Sequence, residues 1–98
     1  MTRRLIIGSD AQRDIAEAIF HYESQRAELG DRFLKELDQL LERIAGNSLQ
    51  FPGIGRGVRR GLFHRFPYAV YFIEAGEIIT VLACLHQHHH PSTWKHRR

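Results

Sequence analysis

Pro67-Tyr68-Ala69-Val70-Tyr71-Phe72-Ile73, then Glu74-Ala75-Gly76, then Glu77-Ile78-Ile79-Thr80-Val81-Leu82-Ala83-Cys84-Leu85-His86 decides the fold. Both flanking runs are rich in β-branched and aromatic residues, the composition of strands. Ala75-Gly76 is short enough for a hairpin turn, with glycine free to take positive φ. From Ile78 to Leu85 the residues are apolar almost without interruption, so both faces of this strand are expected to be buried in a central position of a sheet. Upstream, Val58-Arg59-Arg60-Gly61-Leu62-Phe63-His64-Arg65-Phe66 supplies a further arm and makes a three-stranded antiparallel meander.

Working towards the N-terminus, Leu49 to Gly57 holds one proline and three glycines and reads as a connecting loop, pinned to the core by Phe51 and Ile54. Gly53-Ile54-Gly55-Arg56-Gly57 is glycine-rich but lacks the Gly-Lys-Ser/Thr of a phosphate loop and leads into no helix. Phe33, Leu34, Leu37, Leu40, Leu41 and Ile44 form one apolar stripe at helical spacing, opened by a Leu29-Gly30-Asp31 break and stopped by Gly46-Asn47. An earlier stripe of Ala11, Ile15, Ala18, Ile19 and Tyr22 predicts a helix from about Asp10 to about Gln25, with Ser9 as N-cap and Gln12 reaching back in a capping box. Leu5-Ile6-Ile7 before Gly8 fits one short strand whose place in the sheet the pattern leaves open. The expected order is β-α-α-β-β-β: an α+β fold with an N-terminal strand and a helical hairpin packed on an antiparallel meander.

At 98 residues the chain is expected to be one domain, 1–98, whose residues 87–98 form a basic, histidine-rich tail. Charge is unevenly spread. Residues 1–50 hold seven Lys/Arg against nine Asp/Glu, whereas residues 51–98 hold seven against two, with six of the seven histidines. That asymmetry points to an anionic partner for the second half, nucleic acid or an acidic protein segment, although a solvated basic surface has the same composition. The single cysteine, Cys84, lies in the most apolar strand and reads as a small core hydrophobe. There is no signal-peptide pattern and no apolar run of about 20 residues, so a cytoplasmic chain without a membrane partner is expected.

Three features could carry chemistry. His86, His88 and His90 share a face if the last strand continues, and alternate histidines can bind Zn²⁺, but no acidic residue or available cysteine completes the set, so no metal or other cofactor is expected. Arg59, Arg65 and His86 would converge in one pairing of the meander, giving a general acid and phosphate-binding cations. RNA cleavage by 2′-OH attack would also need a base, and Glu74 and Glu77 flank the turn at the far end of the sheet. Trp94, after Pro91, reads first as an anchor folding the tail back, and second as a partner contact.

The ordered set Ala11…Asp14-Ile15…Ile19, Arg32-Phe33-Leu34…Leu37, Phe51-Pro52-Gly53-Ile54-Gly55-Arg56, Tyr68-Ala69-Val70-Tyr71, Val81 to His86 and His86…Pro91…Trp94 resembles the RelE/ParE superfamily of type II toxin–antitoxin toxins, its ParE-like branch above all. The resemblance covers nearly the whole chain. It implies a small toxin neutralised by a cognate antitoxin, meeting operator DNA only through that antitoxin. In the ParE-like branch the implied target is DNA gyrase, bound rather than chemically altered. In the RelE-like branch it is mRNA on the ribosome, cut by an endoribonuclease that carries lysines on the meander and a Tyr or His near the C-terminus. Here no Lys occurs between Lys35 and Lys95, and Tyr68 stands where some relatives have a catalytic Arg. The expected partner-binding residues are Arg59, Arg60, Arg65, Tyr68, His86, His88 and Trp94. No catalytic residue is expected; the nuclease alternative would use Arg59, Arg65 and His86, and an inactive homologue that only binds antitoxin is a third possibility.

Overall fold

The computed structural model describes residues 3–88 and 92–97. In chain order it contains β1 (Arg4–Ile7), α1 (Ser9–Gln25), α2 (Ala27–Gly46), a short 3₁₀ turn (Ser48–Gln50), β2 (Gly53–Gly55), β3 (Val58–Leu62), β4 (Tyr68–Ala75), β5 (Ile78–His86) and α3 (Ser92–Lys95). The strands form one sheet in the order β1-β5-β4-β3-β2. β3, β4 and β5 are the expected meander, with Gly76 at φ 62° in the β4–β5 turn. β1 joins the outer side of β5 in parallel, Leu5 opposite Ile79 and Ile7 opposite Val81. β5 is thereby an inner strand over its first half, as its unbroken apolar run requires.

Three local expectations are corrected. Ser9 lies inside the first turn of α1 and makes no capping hydrogen bond; Gly8 precedes the helix, and the Gln12 amide donates to Ile7 O at 2.9 Å. α2 begins at Ala27, four residues before Asp31, and only Arg26 separates the helices. Gly30 is a buried residue in the first turn of α2 and not a break; a Cβ there would displace the exposed Glu23 side chain of α1. The Leu49–Gly57 segment is also more than a loop: Gly53 pairs with Arg59 and Gly55 with Val58, making a fourth antiparallel strand at the sheet edge.

The helices cover one face of the sheet. Between them lie Phe33, Leu37, Leu40, Ile44, Phe51, Val70, Phe72, Ile79 and Val81. Phe33 and Phe63 stack with centroids 4.7 Å apart, and Tyr22 meets Phe66 edge-on at 4.8 Å. Gly61 is required here too: a Cβ would come 3.1 Å from Leu40 Cδ1 and 3.2 Å from Phe51 Cε1. The other face carries a second cluster of Val58, Ala69, Tyr71, Leu82, Ala83 and Leu85, closed by Trp94 of α3.

Alternation along β5 changes hand midway. Register passes from Tyr71 opposite Ala83 to Phe72 opposite Val81, which leaves Leu82 as an extra residue, a β-bulge. Ile79 and Val81 face the helices before the bulge and Cys84 does so after it, while Leu82, Ala83 and Leu85 pack on the other face. β1 pairs β5 only as far as Val81, so the bulge and the strand beyond it need other partners for their edge.

Candidate functional site

Those partners come from α1 and the tail. Asp14 Oδ2 accepts the Cys84 backbone N–H at 3.0 Å. The Arg97 guanidinium then grips the same carboxylate, Nη1 to Oδ2 at 2.5 Å and Nη2 to Oδ1 at 3.2 Å, while Nη1 also donates to Leu82 O at 3.3 Å. Asp10 adds a looser contact to Arg97 Nε at 3.8 Å. The Asp14 side chain is 9% exposed. Hydrogen bonding to Asp14, and then its charge, raise the Arg97 pKa against the opposing effect of burial. Bulge and tail are therefore joined by one bidentate ion pair. Three residues upstream of Arg97, Trp94 is 5% exposed and stacks on Tyr71 with centroids 5.8 Å apart and planes 18° apart. Of the two expectations for Trp94, the geometry is that of an anchor.

Arg59 and Arg60, adjacent in sequence, point to opposite faces of β3. Arg59 lies over the turn after α2. Its Nε donates to Glu74 Oε1 at 3.0 Å and its Nη1 to Phe51 O at 2.7 Å. Glu74 also accepts from Ser48 Oγ at 2.7 Å and is ion-paired with Arg3, which in turn donates to Ser48 at 3.0 Å. Hydrogen bonds from Arg3, Ser48 and Arg59 lower the Glu74 carboxyl to a pKa of about 2. This network ties β1, the 3₁₀ turn, β3 and β4 together. Arg60, on the far face opposite Tyr71, is half-buried, and its Nε has no hydrogen-bond partner among the described residues.

Tyr68, His86 and His88 collect at the other end of the sheet. Tyr68 is the register partner of His86, and their rings meet edge-on at 5.5 Å. His86 and His88 rings are 5.1 Å apart, and the His88 backbone N–H donates to His86 Nδ1 at 3.2 Å. A neutral His86 must then carry its proton on Nε2. Burial raises the Tyr68 pKa, with a smaller push from Tyr22. Arg65 is on the exposed β3–β4 loop at this same end. Its backbone N–H and that of His64 are both accepted by Glu36 of α2.

The structure therefore joins Tyr68, His86 and His88, and keeps Arg59 apart from them. Arg59 is opposite Phe72 and His86 opposite Tyr68, four positions along β4, or roughly 13 Å. β5 ends at His86, and Gln87 and His88 form a turn, so the strand does not continue to set alternate histidines on one face; His89, His90, Pro91 and Arg98 lie outside the described residues. Among the described residues no group of three His, Cys, Asp or Glu side chains is placed to hold a metal. No helix there is long and apolar enough to cross a membrane. Sequence reasoning missed Asp14 and Arg97. Asp14 stands three residues after Ala11 and four before Ala18, both buried, so its helical position already put a carboxylate on the packed side of α1.

No curated protein sequence matches this chain. The fold is similar to that of a solved structure described as the chromosomal ParDE TA system from P. aeruginosa, with a TM-score of 0.74 and 20% identity over 85% of this chain and 94% of that one. A family model described as the ParE toxin of the type II toxin–antitoxin system, parDE, matches residues 5–91. With that match running from β1 past the end of β5, the chain belongs to the ParE toxin family of type II toxin–antitoxin systems.

Proposed function

We propose that the protein acts as a cytoplasmic toxin that binds DNA gyrase or a related topoisomerase without cutting nucleic acid, and that a cognate antitoxin restrains it. What supports binding over cleavage is the sequestration of Arg59. A ribonuclease site needs a base, an acid and cations around one phosphate. Arg59 instead neutralises Glu74, and among the described residues no carboxylate pairs with the histidine group at the opposite end. The contact surface proposed for the target is Tyr68, His86 and His88 with the exposed part of the tail, extended by Arg65 and, on the far face, Arg60. Arg59 and Trp94 contribute by holding that surface in shape. The likeness to a ParDE pair supports the antitoxin part of the reading.

Growth inhibition on induction tests it. His86→Ala should leave most of the inhibition intact, because a binding surface does not depend on one proton-transfer group. His88→Glu with Lys95→Glu, shown by thermal melting to be folded, should weaken it, since both side chains are exposed. A folded His86→Ala protein that has lost all toxicity, while the wild type cuts ribosome-bound transcripts, would overturn the proposal in favour of the nuclease. A wild-type protein that inhibits nothing but still binds antitoxin would overturn it in favour of an inactive homologue.

A further inference from the structure

The turn that leads the chain off β5 towards α3 is held by three hydrogen bonds. The Gln87 N–H donates to Pro67 O at 2.8 Å, and the Gln87 side-chain amide reaches Tyr68 O at 3.5 Å. The third runs from the His88 N–H to His86 Nδ1 at 3.2 Å. An imidazole nitrogen here does what the side-chain oxygen does in an Asx turn, accepting the N–H two residues on. Further along, the tail is fixed again by Trp94 on Tyr71 and by Arg97 on Asp14.

Unlike an Asx oxygen, this acceptor titrates. A neutral imidazole offers one lone pair, whereas imidazolium carries N–H at both nitrogens and accepts nothing. Protonating His86 therefore sets one N–H against another across a contact of 3.2 Å. His88 adds to the effect, because its ring lies 5.1 Å from that of His86 and two imidazolium charges that close repel. Histidine takes up its proton between about pH 5 and 8.

The neighbours of His86 do not relieve this. Cys84 faces the helices, and His86, two residues on, shares that side of β5. From β4 comes Tyr68, which stays neutral because burial raises its pKa. Behind Tyr68 lie Tyr22 and then His21 of α1. Asp14 and Glu17 of the same helix are within electrostatic reach of Tyr68, but Asp14 is already gripped by Arg97 and Glu17 is exposed to water. Among the described residues no carboxylate is within ion-pair distance of His86 or His88. Charges created there meet each other and not an anion, so the turn is the part that yields.

We propose that this turn is a proton-operated latch: neutral His86 closes it and holds Tyr68, His86 and His88 in one arrangement, and protonated His86 opens it. The closed form binds one proton fewer, so it is favoured at high pH and lost as pH falls. The Gln87 contacts and both tail anchors persist, which confines the change to this surface and leaves the fold intact. That the change alters what a topoisomerase meets rests on the proposed function; the latch itself does not.

The test is an NMR titration of ¹⁵N-labelled full-length protein from pH 8 to pH 5. Imidazole spectra at pH 8 should show His86 protonated on Nε2, and the His88 amide proton should move upfield with the midpoint of the His86 ring. His86→Asn keeps an acceptor in place without titrating, and His86→Ala removes it, so their His88 amides mark the closed and open limits. Between those limits the closed-to-open ratio of the wild type should fall roughly 2- to 12-fold on acidification, the weight of one hydrogen bond. In His88→Gln the residue 88 amide should still follow His86, and adding His86→Asn should make it independent of pH. His86 protonated on Nδ1 at pH 8, a residue 88 amide that ignores the His86 ring in His88→Gln, or one that still titrates in the His86→Asn, His88→Gln double variant would overturn the proposal. The wild-type titration needs no variant to fold, and no outcome uses toxicity, so a failed latch leaves the proposed function standing.

Discussion

Replacing Asp14 by alanine should release the C-terminal segment and destabilise the whole fold. The carboxylate satisfies the Cys84 amide at the β5 bulge and both terminal nitrogens of Arg97. Leaving a buried N–H without an acceptor costs about 1–3 kcal/mol. Removing one partner of a buried ion pair costs about 3–5 kcal/mol. Arg97 is 18% exposed and can turn towards water, so the loss falls below that range and about 2–3 kcal/mol is expected for Asp14→Ala. For a domain of this size that is roughly 10–20 °C in Tm. Arg97→Ala should cost less, about 1–2 kcal/mol, because Asp14 still accepts the Cys84 N–H. The double variant should fall short of the sum, since the two side chains share one interaction. Chemical denaturation gives the free energies. Trp94, the single tryptophan, reports the tail by fluorescence, because its indole is buried against Tyr71 in the native protein. Asp14→Ala should shift its emission to the red at denaturant concentrations where wild type is unchanged. Wild-type stability and emission in both single variants would refute the account of the bulge and the tail.

The Glu74 network should make stability depend on acid pH. A carboxyl whose folded pKa is depressed to about 2 contributes stability that is fully present above its ordinary value near 4.5 and lost as pH falls from there towards about 2. Glu74→Gln should therefore cost about 1–2 kcal/mol at pH 7, after discounting for partial solvent exposure, with the difference from wild type closing below about pH 4; a difference constant from pH 7 to 2.5 would contradict this. At Gly61, valine would drive side-chain atoms into Leu40 and Phe51 and should destabilise by about 1–3 kcal/mol in thermal melts, an unchanged Tm being the contrary result. At Gly30, the Cβ of alanine would meet only the exposed and flexible Glu23 side chain, which can swing towards water, so alanine's better helix propensity should raise stability by up to about 1 kcal/mol, as urea titration would register; a loss of stability would mean that Glu23 is held in its place.

Periodicity carried most of the fold. Two helical stripes and the apolar run of β5 fixed both helices and the inner strand, because burial on a helix or a two-sided strand leaves a regular imprint. β2 left none: three residues with two glycines have no side-chain pattern, and only pairing with β3 makes them a strand. Gly30 misled because a glycine outside a helix and one inside its first turn look the same in a single sequence. The parallel docking of β1 depends on where the helical hairpin returns the chain, a tertiary matter. At the candidate site His86 and His88 were expected to share a face on a continued strand, whereas a turn after His86 brings their rings together. The separation of Arg59 from His86 was not visible, because it follows from register and from the choice of Glu74 as partner. The Arg97–Asp14 pair, 83 residues apart, could be known only once the bulge exposed an amide between them.

The central functional claim rests most directly on DNA supercoiling by purified gyrase in the presence of the purified protein. Binding without nucleic-acid chemistry predicts that supercoiling falls as the protein is added and that His86→Ala inhibits nearly as well as wild type. Unaffected supercoiling, together with cleavage of ribosome-bound transcripts by wild type and its loss in a folded His86→Ala variant, would contradict it.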